Sequence, residues 1–431
     1  MTPDPEKILS ELICINSVNP PGNETAVARY LQGLFKAAGV EGEIIEPEEG
    51  RGTFIARIGS GSKKLLYVSH ADVVPAGDDW DFEPFCGDIK DGVIYGRGAI
   101  DCKDLLAAQV VAALELISEG VKLNGELIIA AMADEEKGGN LGAGYLVKNC
   151  PEKIMADFAI NEGADQPIFH AGKMVYFFQV GEKGTSWCKL KARGVAGHGS
   201  IPFLADNAIV KLARAVSRLH DYKPEIVLVP EVEKLLAALA AMSENCKDAP
   251  SPGNIDLLLG QLGLDRAFTE SLRSMTRMTV SPNTIQGGTK TNIVPDYCEA
   301  EVDIRILPGQ DRAYVENELK PLLGEGVEIE FTEYRPPTFS SSEEPLYKLM
   351  EEVTLDLVGS DAICLPSISS GSTDSKYLRG AGIPSYGIGH MDKDFDQSAR
   401  TTIHGRNERT DVKSVRLKTA FLKELARRYL A

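Results

Sequence analysis

Three segments in the first third of the chain constrain its fold more tightly than any other feature. Lys64 to His70 (KLLYVSH) and Glu126 to Met132 (ELIIAAM) are short apolar runs with the length and composition of buried strands. Between them, Asp101 to Glu119 carries Leu105, Leu106, Val110, Ala113, Leu114 and Ile117 at helical spacing. A strand, a helix and a strand in that order imply parallel pairing, because parallel strands need a crossover connection. Asp157 to Ile160 (DFAI) adds a weaker third strand. In an open parallel sheet the reacting groups gather beyond the carboxyl ends of the strands. His70, Glu135, Glu136 and Glu162 all stand at or just after such ends.

The texture changes near Lys183. WCKLKARGV, a helix near Asn207 to His220, TNIVPDYCEAEVDIRI, a helix near Arg312 to Leu323 and VEIEFTEY follow the strand-helix-strand-strand-helix-strand order of a ferredoxin-like unit. From about Pro336 the first texture returns. With 431 residues there is room for two to three domains. The expected fold is therefore α/β: a mixed, mainly parallel sheet covered by helices, built from 1–182 and 334–431, with a ferredoxin-like α+β domain inserted at 183–333. A Leu- and Ala-rich stretch at about 223–278 is an extra helical segment within the insertion.

Charge and composition narrow the partners. Lys and Arg number 46 against 63 Asp and Glu, a net charge of −17, and no local basic patch offsets it. Such a surface repels phosphate backbones and anionic lipid, so neither nucleic acid nor membrane is expected as a partner. The apolar stretches Leu105 to Ile117 and Leu235 to Met242 fall short of the roughly 20 residues that cross a bilayer. The opening MTPDPEKILSELICIN lacks the basic start of a secretion signal. Eight cysteines are scattered without a C-x-x-C pair, which suits neither a disulfide framework nor a thiolate zinc site. Reduced thiols in a cytoplasmic protein are the expectation.

Only six histidines are present, so each can be weighed. His70 opens SHADVVPAGDDW, where Asp72 could fix which imidazole nitrogen faces a metal, although a histidine beside a turn carboxylate is commonplace. Asp101 follows the glycines of DGVIYGRGAIDCKD and would ordinarily be an N-cap. Asp134, Glu135 and Glu136 leave the apolar strand together; carboxylates so close raise one another's pKa unless a cation or a proton-transfer role holds them. Glu162 repeats the pattern after DFAI, and His404 in TTIHGRNER has no apolar face to pack into. Together they offer N and O ligands that suit zinc, with a further carboxylate free to act as base.

SHADVVPAGDDW, DGVIYGRGAIDCKDLLAA, ADEEKGG, INEG, GVAGHGSIP, TNIVP and IHGRNE, in this order and across nearly the whole chain, resemble the co-catalytic zinc family of aminoacylase, acetylornithine deacetylase, succinyl-diaminopimelate desuccinylase and the glutamate-releasing carboxypeptidases. The resemblance implies two Zn2+ ions, with Co2+ or Mn2+ as substitutes. His70 and Glu162 would hold one, Glu136 and His404 the other, and Asp101 would bridge them. Asp72 would orient His70, and Glu135 would be the general base. The inserted domain would serve as lid and homodimer interface, with His198 stabilising the oxyanion, commonly from the neighbouring subunit. Asn292 and Arg305 would contact substrate, as would the Gly371, Ser372 and Thr373 loop. Arg305 could instead pair with Asp303 or Glu301, and the glycine-serine run could be a plain turn. Histidines 170, 220 and 390 match no motif and are read as structural.

The expected activity is hydrolysis of an amide bond in an N-acyl amino acid or short peptide bearing a free carboxylate, by a carboxypeptidase or aminoacylase-like enzyme. A biosynthetic desuccinylase or deacetylase is the alternative within the family, and a catalytically silent zinc-binding protein the alternative outside it.

Overall fold

The strands Glu126–Met132, Lys64–His70, Phe158–Asn161 and Ser385–Ile388 lie side by side and all run parallel. They are apolar along almost their whole length because helices cover the sheet, leaving little of these strands exposed. Gly42–Ile45 and Thr53–Gly59 extend one edge antiparallel, and Lys173–Glu182 joins the other edge antiparallel. The result is a mixed sheet with a parallel centre, as expected. The computed structural model describes residues 4–431 and resolves them into two compact units. The first comprises residues up to Val180, Ser340–Ser367 and Thr373–Ala431; the second comprises Gly181–Phe339 and Ile368–Ser372.

The crossover helix spans Lys103–Ser118, and its surroundings differ from the expected single apolar stripe. Every residue from Lys103 to Leu114 is buried, because the helix packs against the sheet and also against the helices Pro5–Cys14 and Val412–Leu430. The polar members of this run are internally satisfied. Gln109 bonds Ser69 and the Val68 carbonyl, Asp104 pairs with Lys418, and the Lys103 ammonium donates to the Leu12 and Ile15 carbonyls. Because the central strands are parallel, the end of Lys64–His70 and the turns after Glu126–Met132 and Phe158–Asn161 open on one edge of the sheet.

In the second unit, Thr279–Gly287, Tyr297–Ile306, Gly184–Arg193 and Val327–Arg335 form an antiparallel sheet in that spatial order. Ala208–Asp221 and Arg312–Leu323 pack on one face over Leu190, Ala300, Val302 and Ile304. This is the ferredoxin-like arrangement, with Thr279–Gly287 as the strand the sequence left unmarked. Three helices, Pro230–Met242, Ile255–Gln261 and Arg266–Ser274, occupy the extra segment. Among the described residues no helix is long and apolar enough to cross a membrane.

Candidate metal centre

Two imidazoles divide one carboxylate between them. His70 Nε2 lies 3.0 Å from Asp101 Oδ1, and His404 Nε2 lies 3.0 Å from Asp101 Oδ2. On the His70 side Glu162 Oε1 stands 3.5 Å from Nε2; on the His404 side Glu136 Oε2 stands 3.2 Å from Nε2. Five residues drawn from positions 70 to 404 thus meet at one edge of the parallel sheet.

The tautomer of His70 follows from its other nitrogen. Nδ1 lies 2.8 Å from the Asp72 main-chain oxygen, which can only accept, so Nδ1 carries a hydrogen and Nε2 faces Asp101 and Glu162. The resemblance implies this orienting role for the Asp72 carboxylate, which stands 3.6 Å from Nδ1. That carboxylate instead accepts the main-chain N–H of Glu135 and of Glu136, each at 3.1 Å, and the Asn19 amide at 2.8 Å. Asp72 therefore anchors the turn that carries Glu135 and Glu136. The turn itself needs help, since Asp134 adopts a left-handed φ of 70°. Asp134 is held by the Arg51 guanidinium at 2.8 Å and by the Leu141 N–H at 3.0 Å, and Arg51 also forks onto buried Glu24. Asn19, Glu24 and Arg51 carried no motif that sequence reading could have singled out.

Electrostatics mark the cluster as built for cations. Burial raises Glu162 to about 8, with repulsion from Asp101 and Glu136 adding to it and His70 opposing. Burial would raise Asp101 too, but the hydrogen bonds from His404 and His70 outweigh it and hold its carboxyl low. Hydrogen bonds to Asp101 and Glu136 raise His404 to about 10. Burial lifts Glu135 well above its ordinary value, reinforced by Glu162. Glu136 Oε1 is buried without a hydrogen-bond partner, an orphan atom a metal ion would satisfy. His70, Asp101 and Glu136 present donor atoms within 4.8 Å of one another, as do His70, Cys102 and Glu162. The residues therefore fit a pair of divalent ions, one beside His70 and Glu162, the other beside His404 and Glu136, with Asp101 common to both.

Cys102 belongs to no C-x-x-C pair, so the sequence carries no metal signal at it. Its sulfur accepts the His70 N–H at 3.3 Å, and burial pushes the thiol well above its usual pKa. Asp374 and Lys376 were also missed: the first raises and the second lowers the pKa of Glu135. Both lie in SSGSTDSKY, directly after Thr373.

The remaining candidates are distributed. His198 pairs with Ile293 in a short antiparallel ladder next to Asn292, whose carbonyl accepts the Gly199 N–H at 2.8 Å. His198 is exposed, and its Nδ1 accepts the Ser200 N–H at 3.2 Å, leaving Nε2–H free to donate. Arg305 forks onto Asp303 at 2.7 and 3.1 Å and lies over Trp187, which is the pairing the sequence had left open. Gly371 and Ser372 group with the second unit and Thr373 with the first. The Thr373 hydroxyl is within bonding distance of Asn161, the neighbour of Glu162.

A carboxylate divided between two histidines is the chemistry of a metal-dependent hydrolase, and comparison with known proteins gives that class a family. Residues 66–428 match the sequence model of Peptidase family M20/M25/M40, and the chain belongs to that family. It is accordingly a metal-dependent hydrolase of amide bonds. It is 27% identical over 389 residues, covering 86% of this chain and 85% of the relative, to a Staphylococcus aureus (strain MRSA252) protein named "probable succinyl-diaminopimelate desuccinylase". An M20 family metallo-carboxypeptidase from Sulfolobus solfataricus matches its fold with a TM-score of 0.75 at 23% identity, covering 99% of both chains. A tripeptidase from Staphylococcus aureus Mu50 matches at 0.69 with 21% identity, covering 98% of this chain and 97% of that one.

Proposed function

We propose that this chain is a dinuclear zinc amidohydrolase that cleaves an N-acyl amino acid or short peptide bearing a free carboxylate. The observation that carries the reading is Asp101, whose two oxygens each face a different imidazole. His70, Glu162 and Asp101 would hold one ion, and His404, Glu136 and Asp101 the other. Nitrogen and oxygen donors with a thiol close by favour zinc, and cobalt or manganese would substitute. Bound there, the ions would polarise the scissile carbonyl and acidify the attacking water. Glu135 is the proton carrier: it stands beside Glu136 on the turn that Asp72 anchors, a carboxylate outside the ligand set. It accepts the water's proton and delivers it to the departing amine nitrogen. His198, its Nδ1 occupied by Ser200, donates Nε2–H to the developing oxyanion. Asn292, Arg305 and the Gly371, Ser372 and Thr373 loop position the substrate, with Arg305 exchanging Asp303 for the substrate carboxylate.

The inserted domain, 183–333, acts as lid and pairs two copies of the chain. In support, Ile201, Phe203, Leu204 and Ile293 around His198 are exposed, Phe203 to 96%, more apolar surface than a solvated loop normally carries. A monomer mass by light scattering would overturn that pairing. Eight free thiols, Cys14 exposed among them, support a reducing, cytoplasmic setting.

A second reading, a biosynthetic desuccinylase, is favoured by the name of the Staphylococcus aureus relative and the length of that match. Metal-stripped protein reloaded with zinc, cobalt or manganese and screened against N-acyl amino acids, short peptides, acetylornithine and succinyl-diaminopimelate separates the readings. Turnover confined to succinyl-diaminopimelate or acetylornithine would select the biosynthetic one. Absence of turnover with two ions bound would overturn both.

A further inference from the structure

The IHGRNE segment contributes His404 to the cluster, yet its most buried charged side chain is Glu408, which is fully enclosed. Its carboxylate makes four short contacts. Oε1 accepts the main-chain N–H of Ile100 at 2.8 Å and of Asp101 at 3.1 Å; Oε2 accepts the Gly98 N–H at 3.1 Å and the Arg97 guanidinium at 2.6 Å. The other arm of that guanidinium reaches back to the Gly405 carbonyl at 2.6 Å, next to His404. Arg97 is itself buried and lies over the Trp80 ring. Main-chain bonding continues the seam, with Gly96 N–H on the Glu408 carbonyl and Arg409 paired with Tyr95.

The loop bearing Asp101 and the turn bearing His404 are far apart along the chain, and the Arg97–Glu408 pair is bonded to both. A capping carboxylate needs only one or two N–H partners near solvent. Here three main-chain donors of one loop and a buried cation converge on one fully desolvated carboxylate, an arrangement that is expensive to break and stiff while intact. The backbone of Asp101 is fixed directly by Glu408, and the His404 turn is fixed through Arg97. Glu136, the third donor of that ion position, is held separately by Asp72.

We infer that Glu408, acting with Arg97, is a positioning residue that sets the distance between Asp101 and His404 and so determines affinity at the metal position those two residues share with Glu136. The inference rests on the assignment of these three side chains as metal ligands. The position beside His70 and Glu162 shares Asp101 but not His404, and His70 is held by the Asp72 main chain, so that position should be less sensitive.

The test is titration of metal-free full-length protein with zinc alone, followed by calorimetry, and with cobalt, followed by its visible absorption. Wild type should take up two ions in resolvable steps. Glu408→Gln keeps the volume but turns an amide N–H2 toward backbone donors; it should weaken one step by about 10- to 100-fold, the range for removing an outer hydrogen-bond partner of a metal ligand, and leave the other within about 3-fold. Arg97→Lys keeps the charge without the two-armed bridge and should weaken the same step to a smaller degree. A merely structural role would lower both steps alike. Circular dichroism reports folding, and should Glu408→Gln not fold, Arg97→Lys decides. Two unchanged steps in the folded variants, or equal weakening of both, overturns the inference. His404→Ala separates its failure from that of the underlying assignment: if His404→Ala still binds both ions as wild type does, the ligand assignment itself is wrong. If His404→Ala loses one step while Glu408→Gln and Arg97→Lys lose none, only the positioning role is refuted.

Discussion

Loading the metal centre should release protons, and their number follows from the site. Without metal, His404 is raised to about 10 by its bonds to Asp101 and Glu136. His70 is raised as well: its burial opposes the charge, but Cys102, Glu162 and Asp101 prevail. Glu162 is raised to about 8, chiefly by burial. At neutral pH His404 is therefore protonated, and Glu162 holds a second proton much of the time. A metal ion binds only the deprotonated forms, so filling both positions at neutral pH should expel about one to two protons. By linkage the overall affinity for the pair should rise roughly 10- to 100-fold for each pH unit near neutrality. The sign is fixed because each group's pKa is raised. Protons compete below those values, the contribution of Glu162 fades above about 8, and that of His404 persists to about 10. Calorimetric zinc titrations in buffers of different ionisation enthalpy count the protons directly. Release of fewer than about one proton, or affinity that stays flat from about pH 6 to about pH 7.5, would refute the account of the cluster.

Three further outcomes follow from named contacts. Glu135→Ala should retain both metal ions while turnover falls by about 100- to 10,000-fold; full turnover in a variant binding two ions would remove Glu135 as the base. His198→Ala should lower kcat by about 100- to 1000-fold with metal uptake unchanged, and an unaltered kcat in steady-state assays would discard its role at the oxyanion. Arg51→Met leaves Glu24 and Asp134 buried without their cation, so the unit containing them should lose about 3 to 5 kcal/mol in urea unfolding followed by fluorescence. A loss below about 1 kcal/mol would show that those carboxylates are neutralised some other way.

Three of the five proposed ligands were legible from spacing because two separate regularities coincide on them, while Asp101 and His404 came from the resemblance. Apolar runs identified the strands, strand-helix-strand order made them parallel, and a carboxylate just past the end of an apolar run has little reason to be there unless something binds it. His70, Glu135, Glu136 and Glu162 were visible on those terms, and the structure gathers His70, Glu136 and Glu162 with Asp101 and His404. The ferredoxin-like order was readable for a similar reason, although Thr279–Gly287, with exposed residues along most of its length, gave no apolar run to find.

What supports the ligands was not legible, and the cause is physical. Asn19, Glu24, Arg51, Arg97 and Glu408 are polar residues whose buried state depends wholly on partners tens to hundreds of positions away. Arg97 and Glu408 fall within DGVIYGRGAIDCKD and IHGRNE, yet nothing in the local sequence of any of the five marks it as buried. Periodicity reports which face of an element is dry; it carries no signal for a charged side chain that becomes dry only when two loops close on it. The Asp72 correction has the same origin. H-x-D suggested a carboxylate on the imidazole, but the strand end turns so that the main-chain carbonyl takes Nδ1, which frees the carboxylate for the Glu135 and Glu136 N–H groups. One residue thereby couples His70, a proposed ligand on one strand, to Glu135 and Glu136, the proposed base and second ligand after the next. Moving Asp72 should disturb both ion positions alike, whereas moving Glu408 should disturb chiefly the one that includes His404.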